Sequence, residues 1–467
     1  RLLNGSLTVL LFNCIFTLIR NMKKKSFVLI ALCTLPLLAF GEGFSLKQCI
    51  DYANKANANI VNANYDVEIA GRKVKEQIGT ILPQIDGSAS YTDNLLLTTT
   101  LLPGEIINKP GTMVAVQFGT KHSMNGVVQL TQKLFDPTFS LVLKATKISE
   151  DQAQQSLKMT KEQSAYSISV TYFQTLVIAK QLSTLRSTLN TSGKQLESTE
   201  LKYKAGMAKQ IDVDKIRVSY NNLKSQVQQS ELNYAQSFNN LRFYMGMPVE
   251  SGIVLTDTVM NVDNQTLEAL ISDFNIENRS DFQLQKIALK AIEADKDRNK
   301  AGYLPTFNLS ANLGANAMRQ QFNFLDTSEK WYPNSQLIFS LRVPIFDGLQ
   351  RLQRIAQANL NIEKSKVKME QSKQSIQVDL SNYENQYRTA VNNIRNEKEN
   401  LALSESVYKN TQLQYQQGVA TSLDLVQAES SYNESTNNYF AKLLNLYIAR
   451  INLEQGKGNL LNYTNNK

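Results

Sequence analysis

The residues whose types and spacing carry chemistry come in two matching sets. Tyr203, Gly206 and Asp212 stand in the stretch 201–212, and Tyr415, Gly418 and Asp424 repeat the pattern 212 positions later. Lys209 and Asp214 flank the first set, and Gln427 follows the second. Carboxylates just after a glycine turn attract cations, repel anions and favour a helix start. Read from the residues alone, these groups cap helix ends in water. Bond-making chemistry is not suggested. The chain has one His, His122, and nothing that resembles a nucleophile with its base, a phosphate loop or a metal cluster. No enzyme and no cofactor are implied.

The elements that position these turns are long helices. From about Thr138 to Lys204 there is no Pro and a single Gly, Gly193; from Leu349 to Gln417 there is neither. Either stretch reaches about 100 Å as a helix. Apolar positions are sparse (Leu157, Ile168, Tyr172, Leu176, Leu182, Leu189), which predicts a narrow seam and a large wet surface. Each long helix ends near Tyr-x-x-Gly, where glycine suits a positive-φ cap, and restarts near Ile211 or Leu423. Thr421 or Ser422 suits the cap of the return helix.

Four segments alternate with period two. After Pro305, Phe307, Leu309, Ala311 and Leu313 oppose Thr306, Asn308, Ser310 and Asn312; Leu337, Phe339 and Leu341 oppose Ile338, Ser340 and Arg342. Residues 85–94 and 126–135 repeat the theme. With no second sheet to bury against, the apolar face suits lipid. Four strands cannot close a barrel, and an open edge in lipid leaves backbone groups unpaired. Two copies give a filled eight-stranded barrel; three give twelve strands with room for a duct, the preferred count. Residues 95–125 and 314–336 are expected as the outer loops. Trp331 and Tyr332 suit either the lipid interface or loop packing.

The chain carries +9, with five basic and no acidic residues before Glu42, so the remainder is only about +4 and no nucleic-acid partner is indicated. Met22, Lys23, Lys24 and Lys25, an apolar run from Phe27 to Phe40, and Ala39-Phe40-Gly41 form a signal-peptide pattern over 22–41. Residues 1–21 read as sequence upstream of the start. Cys49 is the one cysteine after this leader and is expected to be a buried small side chain.

Five kinds of mark stand along the chain. They are Phe44-Ser45-Leu46-x-x-Cys49-Ile50-x-x-Ala53, Leu82-Pro83 with Leu304-Pro305, Phe135-Asp136 with Phe346-Asp347, the paired Tyr-x-x-Gly-x-x-x-x-x-Asp turns, and Leu241 through Gly246-x-Pro248. By these marks the chain resembles the TolC family of outer-membrane efflux and secretion channels from Phe44 to about Gly456. The resemblance implies a mainly α fold with transmembrane β structure: a long antiparallel α-helical barrel, with four strands per chain in a twelve-stranded trimeric β-barrel. It implies two repeats. The first, 42–251, has strands near 84–94 and 126–136 and helices near 138–204 and 211–245. The second, 252–467, has strands near 304–314 and 336–346, helices near 349–417 and 422–456, and a tail. It also implies a girdle formed near 45–70, 250–280 and the tail.

The expected location is the outer membrane, extending into the periplasm. The expected partners are two further copies, a periplasmic adaptor docking at Tyr203, Gly206, Tyr415 and Gly418, an inner-membrane transporter, and outer-membrane lipid. The resemblance implies a periplasmic gate or ion selection by Asp424, Asp212, Asp214, Gln427 and Lys209, the alternative being charges that only cap helix ends; Asp424 matches the family's first acidic gate position. Gln427 replaces the next acid and Ala420 the basic residue before it, so any gate is less charged in this half. The function implied is a passive duct for small molecules; the alternatives are the duct of a type I protein secretion system and a periplasmic coiled-coil structural protein.

Overall fold

The computed structural model describes residues 43–103, 105, 110–257 and 274–465. The expected leader at 22–41, residues 1–21 and part of the 250–280 girdle lie outside the described residues. The elements run β1 (Gly43–Phe44), α1 (Leu46–Ala56), α2 (Ala58–Gly79), β2 (Gln84–Asp93), β3 (Thr98–Pro103), β4 (Met113–Phe118), β5 (His122–Phe135), α3 (Phe139–Lys204) and α4 (Gln210–Met245). After these come β6 (Val254–Leu255), α5 (Ser280–Ala301), β7 (Thr306–Arg319), β8 (Tyr332–Arg342), α6 (Gln350–Gln416), α7 (Ser422–Gly456) and α8 (Leu460–Asn465).

The motifs that recur in the sequence have local physical causes. Pro83 and Pro305 precede β2 and β7, because proline disfavours helix in the residue before it and carries no N–H to extend the helix it follows. Each Phe-Asp pair starts a long helix. Asp136 accepts from the Thr138 backbone N–H at 3.0 Å and its hydroxyl at 2.6 Å, and Asp347 accepts from the Arg351 backbone N–H at 3.2 Å. Gly246 ends α4 at φ 74°, and a Cβ there would lie 2.4 Å from the Ala56 carbonyl oxygen, so only glycine lets α1 pack this closely.

The sheet order is β2–β5–β7–β8, antiparallel throughout. Cross-strand partners share a face, which sorts the sheet into two. One face carries Ile85, Ala89, Val128, Leu130, Phe307, Leu309, Leu313, Leu337, Phe339 and Leu341; the other carries Asp86, Ser88, Gln129, Asn312, Gln336 and Ser340. The strands differ from expectation at their outer ends. β5 begins at His122 and β7 continues to Arg319, while β8 runs from Tyr332 to Arg342 rather than over 336–346. Pro344 ends β8 early, because it removes a ladder donor and restricts Val343 before it. The first outer loop carries its own hairpin, β3–β4.

Tyr332 pairs with Asn316, in the row of Asn125 and Ser90. It therefore lies on the polar face, which corrects its expected place at the lipid interface.

The helices pack through seven-residue seams. Buried Leu380, Tyr387, Ile394, Tyr408 and Tyr415 fall at multiples of seven along α6, as do Ile216, Leu223, Ser230 and Ser237 along α4. Near the sheet the order is α2–α3–α5–α6; toward the turns it is α4–α3–α7–α6. The two arrangements meet at a core of Leu46, Ile50, Ile168, Tyr172, Leu241, Met245, Ile451 and Leu460, with the parallel β1–β6 pair beside it. Cys49 is buried in this core, and burial, then the nearby Asp257, pushes its thiol up to about 12.

Candidate functional site

The two turns have the same backbone. In the first, Gly206 has φ 74° and its N–H donates to Tyr203 O at 2.9 Å, while Met207 N–H donates to Lys202 O at 2.8 Å. In the second, Gly418 has φ 77° and its N–H donates to Tyr415 O at 3.2 Å, while Val419 N–H donates to Gln414 O at 2.9 Å. These are Schellman caps, which reverse the chain and satisfy the last helix carbonyls. A Cβ on either glycine meets open space.

The restarts diverge. Thr421 caps α7: its hydroxyl accepts from Asp424 N–H at 3.2 Å, and Asp424 accepts from the Thr421 N–H at 2.9 Å and hydroxyl at 2.7 Å. Hydrogen bonds from the Thr421 hydroxyl, then its backbone, hold the Asp424 carboxyl below the usual range. At the equivalent place in α4 stands Lys209, whose ammonium accepts nothing. Only the return bond forms, from Lys209 N–H to Asp212 at 3.3 Å. The other Asp212 oxygen accepts from the Ser422 hydroxyl at 2.6 Å, tying one hairpin to the other. That hydroxyl is the largest cause lowering the Asp212 pKa.

The expected gate residues therefore separate. Asp424 and Gln427 are exposed on one wet face of α7, in a groove shared with Glu397, Asn400, Thr411 and Glu434. Asp212 sits between the hairpins. Asp214 accepts from Gln210 at 2.8 Å, and Lys209 is exposed.

The two tyrosines also differ. Tyr203 is exposed, but Tyr415 is buried in the seam, its hydroxyl 3.3 Å from Thr199 and Lys202 over its ring. Tyr415 is thus a packing residue and not a docking surface, because its place in the heptad turns it inward. Trp331 lies beside Phe324 on the outer loop, ring centroids 6.4 Å apart.

Sequence reasoning missed three features. Ser422 is a cross-hairpin donor that no local pattern marks. Glu429 is buried, accepts from the Ser219 hydroxyl at 2.6 Å and leaves its other oxygen without a hydrogen bond. The seam Glu429, Thr436, Leu443 at multiples of seven would have flagged it. Leu82, Phe135, Leu304 and Phe346 are all exposed where the sheet meets the helices; their place in the repeated Leu-Pro and Phe-Asp pairs was the signal.

The sequence model described as outer membrane efflux protein matches residues 49–247 and 273–459. The outer membrane protein TolC of Vibrio cholerae is 21% identical over 93% of this chain and 94% of its own length. The TolC protein of Escherichia coli is 22% identical over 94% of this chain and 87% of its own length. Among solved structures, the outer membrane protein VceC of Vibrio cholerae superposes with a TM-score of 0.68 at 14% identity, over 88% of this chain and 96% of that one. The Campylobacter jejuni CmeC outer membrane channel gives 0.69 at 14% identity, over 89% and 85%.

Proposed function

The chain belongs to the outer membrane efflux protein family, and from that premise we propose that three copies close into a passive duct for small toxic molecules, drugs among them. An inner-membrane pump would supply the cargo through a periplasmic adaptor. The protein is an outer-membrane export duct and not an enzyme. The observation that supports closure by copies is the alignment of open edges. The sheet ends on β2 and β8, and the helical layer ends on α2 or α4 and on α6. First-repeat elements line one edge along its whole length, and α6 and β8 line the other. Every residue of β2 and β8 is exposed. Such edges are forbidden in lipid unless they meet, and β8 of one copy offers its ladder to β2 of the next. Three copies give twelve strands and a water-filled lumen lined by the polar face.

The exposed Leu82, Phe135, Leu304 and Phe346 suit the periplasmic boundary of the membrane. Asp424, on an exposed face near the tip, then recurs three times about one axis and favours cations there. Small-molecule cargo is supported by the efflux description of the matched family. The test is mass measurement of the detergent-solubilised complex together with drug susceptibility of a strain lacking the gene. A trimer and heightened susceptibility are expected. A monomer or dimer as the largest species refutes the closure, and unchanged susceptibility with lost polypeptide export refutes the cargo.

A further inference from the structure

The outer rim of the sheet carries a built surface that the duct does not use. The apolar row of β7 from Phe307 to Ala317 covers about 33 Å of strand, or about 25 Å of height at a tilt of ~40°, which is the apolar band of an outer-membrane barrel. Arg319, His122 and Asp93 form the next row on that same face, with Tyr91 directly below them beside Met124 and Ala317. Residues 320–331 fold back onto this platform, on the lipid-facing side.

The underside of the fold-back is fixed. Phe322 packs edge-on against Tyr91 at 5.5 Å and His122 at 6.2 Å, and Phe324 against Tyr91 at 6.0 Å. Tyr91 and His122 share a hydrogen bond of 2.9 Å. The Arg319 side chain is 5% exposed, with its guanidinium over Phe324 at 5.5 Å and 3.5 Å from Glu329. The upper side is bare: Leu325 is 95% exposed and Trp331 39%, and Phe322, although packed below, keeps 65% of its surface open. Exposed Lys121 borders the segment, and Asp326, Glu329 and Lys330 within it are exposed as well.

We propose that residues 320–331 form a pad that rests on the outer leaflet of the membrane, with Leu325, Phe322 and Trp331 in the interface. The inference rests on the reading of the sheet as part of a lipid-embedded barrel. The occupant is lipid because the pad lies on the same face as the apolar row and covers the polar row of Asp93, His122 and Arg319 at the height where the apolar row ends. Aromatic side chains held rigidly at such a boundary anchor a barrel against vertical movement.

Trp331 is the only tryptophan of the chain, so its fluorescence reads the pad directly. The full-length channel is reconstituted into phosphatidylcholine–phosphatidylglycerol vesicles whose lipids carry bromine either just below the headgroup or near the chain ends. Shallow bromine should remove roughly half of the emission and deep bromine little, as for a side chain at the interface. Leu325→Asp, which alters no packed contact, should weaken the shallow quenching and open Trp331 to aqueous iodide. Free iodide access with no bromine effect would place the pad in water and overturn the proposal. Shielding from iodide without a bromine effect would place it against a neighbouring copy and overturn it equally. Conductance of the same vesicles separates the two readings: a conducting channel with an unquenched Trp331 sinks the pad alone, and a non-conducting one sinks the duct with it.

Discussion

Replacing Ser422 by Ala removes one hydrogen bond and tests whether the tip is held shut from within each protomer. Ser422 is buried, and its hydroxyl donates to Asp212 at 2.6 Å across the two hairpins. A hydrogen bond to a charged group contributes about 1.5–3 kcal/mol when well shielded. Asp212 is partly solvated and keeps its bond from Lys209, so about 1 kcal/mol per protomer is the appropriate figure after screening. If three hairpins move together the sum is about 3 kcal/mol, which shifts the closed-to-open ratio on the order of 100-fold. Independent hairpins would each shift about fivefold.

Single-channel recording should show longer open times in Ser422→Ala, and amide exchange should quicken at 205–212 and 417–424. The pH dependence follows from the lowered Asp212 pKa. A depressed carboxyl contributes fully above its unfolded value of about 3.9 and loses that contribution as pH falls through its folded value. The mutant and parent should therefore differ at neutral pH and converge well below pH 4. Identical open times and exchange rates at pH 7 would refute the constraint.

Asp424→Asn keeps the capping geometry while removing the charge, so the reversal potential across a salt gradient should move toward non-selectivity with the complex intact; equal potentials would remove Asp424 from ion selection. Gly418→Trp forces a side chain into φ 77°, at a cost of about 1 kcal/mol, but meets open space. It should leave the trimer folded and reduce crosslinking to the adaptor, and unchanged crosslinking counts against docking at this turn. Glu429→Gln replaces a buried carboxylate whose hydrogen bond comes from Ser219 and which forms no ion pair among the described residues. It should raise stability at neutral pH by about 1 kcal/mol, read as a higher melting temperature, and a lower one would show that the charge is compensated.

Much of the architecture was legible because two periodicities are robust. Alternation over Thr306 to Leu313 and over Leu337 to Leu341 separates two faces, and the Pro- and Gly-poor stretches leave no room for anything but long helices. The same rules, applied more strictly, would have prevented two errors. Adjacent residues of a strand point to opposite faces, so Tyr332 falls on the polar face of β8 once Phe339 is placed on the apolar one. Tyr415 lies one heptad beyond Tyr408, which assigns it to the seam before any docking role arises. Ser45 with Gln48 was a readable capping box for α1, and the structure forms it in both directions. The β1–β6 pair was not readable. Two residues at each end of a 211-residue separation carry no pattern, and their pairing follows from where α1 and α4 bring them.

The duplicated turns show where repetition stops informing. Both halves keep Tyr, Gly and Asp because each needs a left-handed residue to reverse the chain and a carboxylate at the next helix start. What each carboxylate then does depends on the donors that reach it. Thr421 offers a hydroxyl, so Asp424 closes a local box and leaves its charge facing solvent. Lys209 offers none, and Asp212 accepts from its N–H with one oxygen and from the Ser422 hydroxyl of the other hairpin with the second. Ser422 in the second turn has Gln210 as its counterpart in the first, which donates to Asp214 instead, so only Asp212 gains a tie across the hairpins. A repeat conserves the backbone demand, while the division of labour between its copies is set by side chains that the repeat does not share.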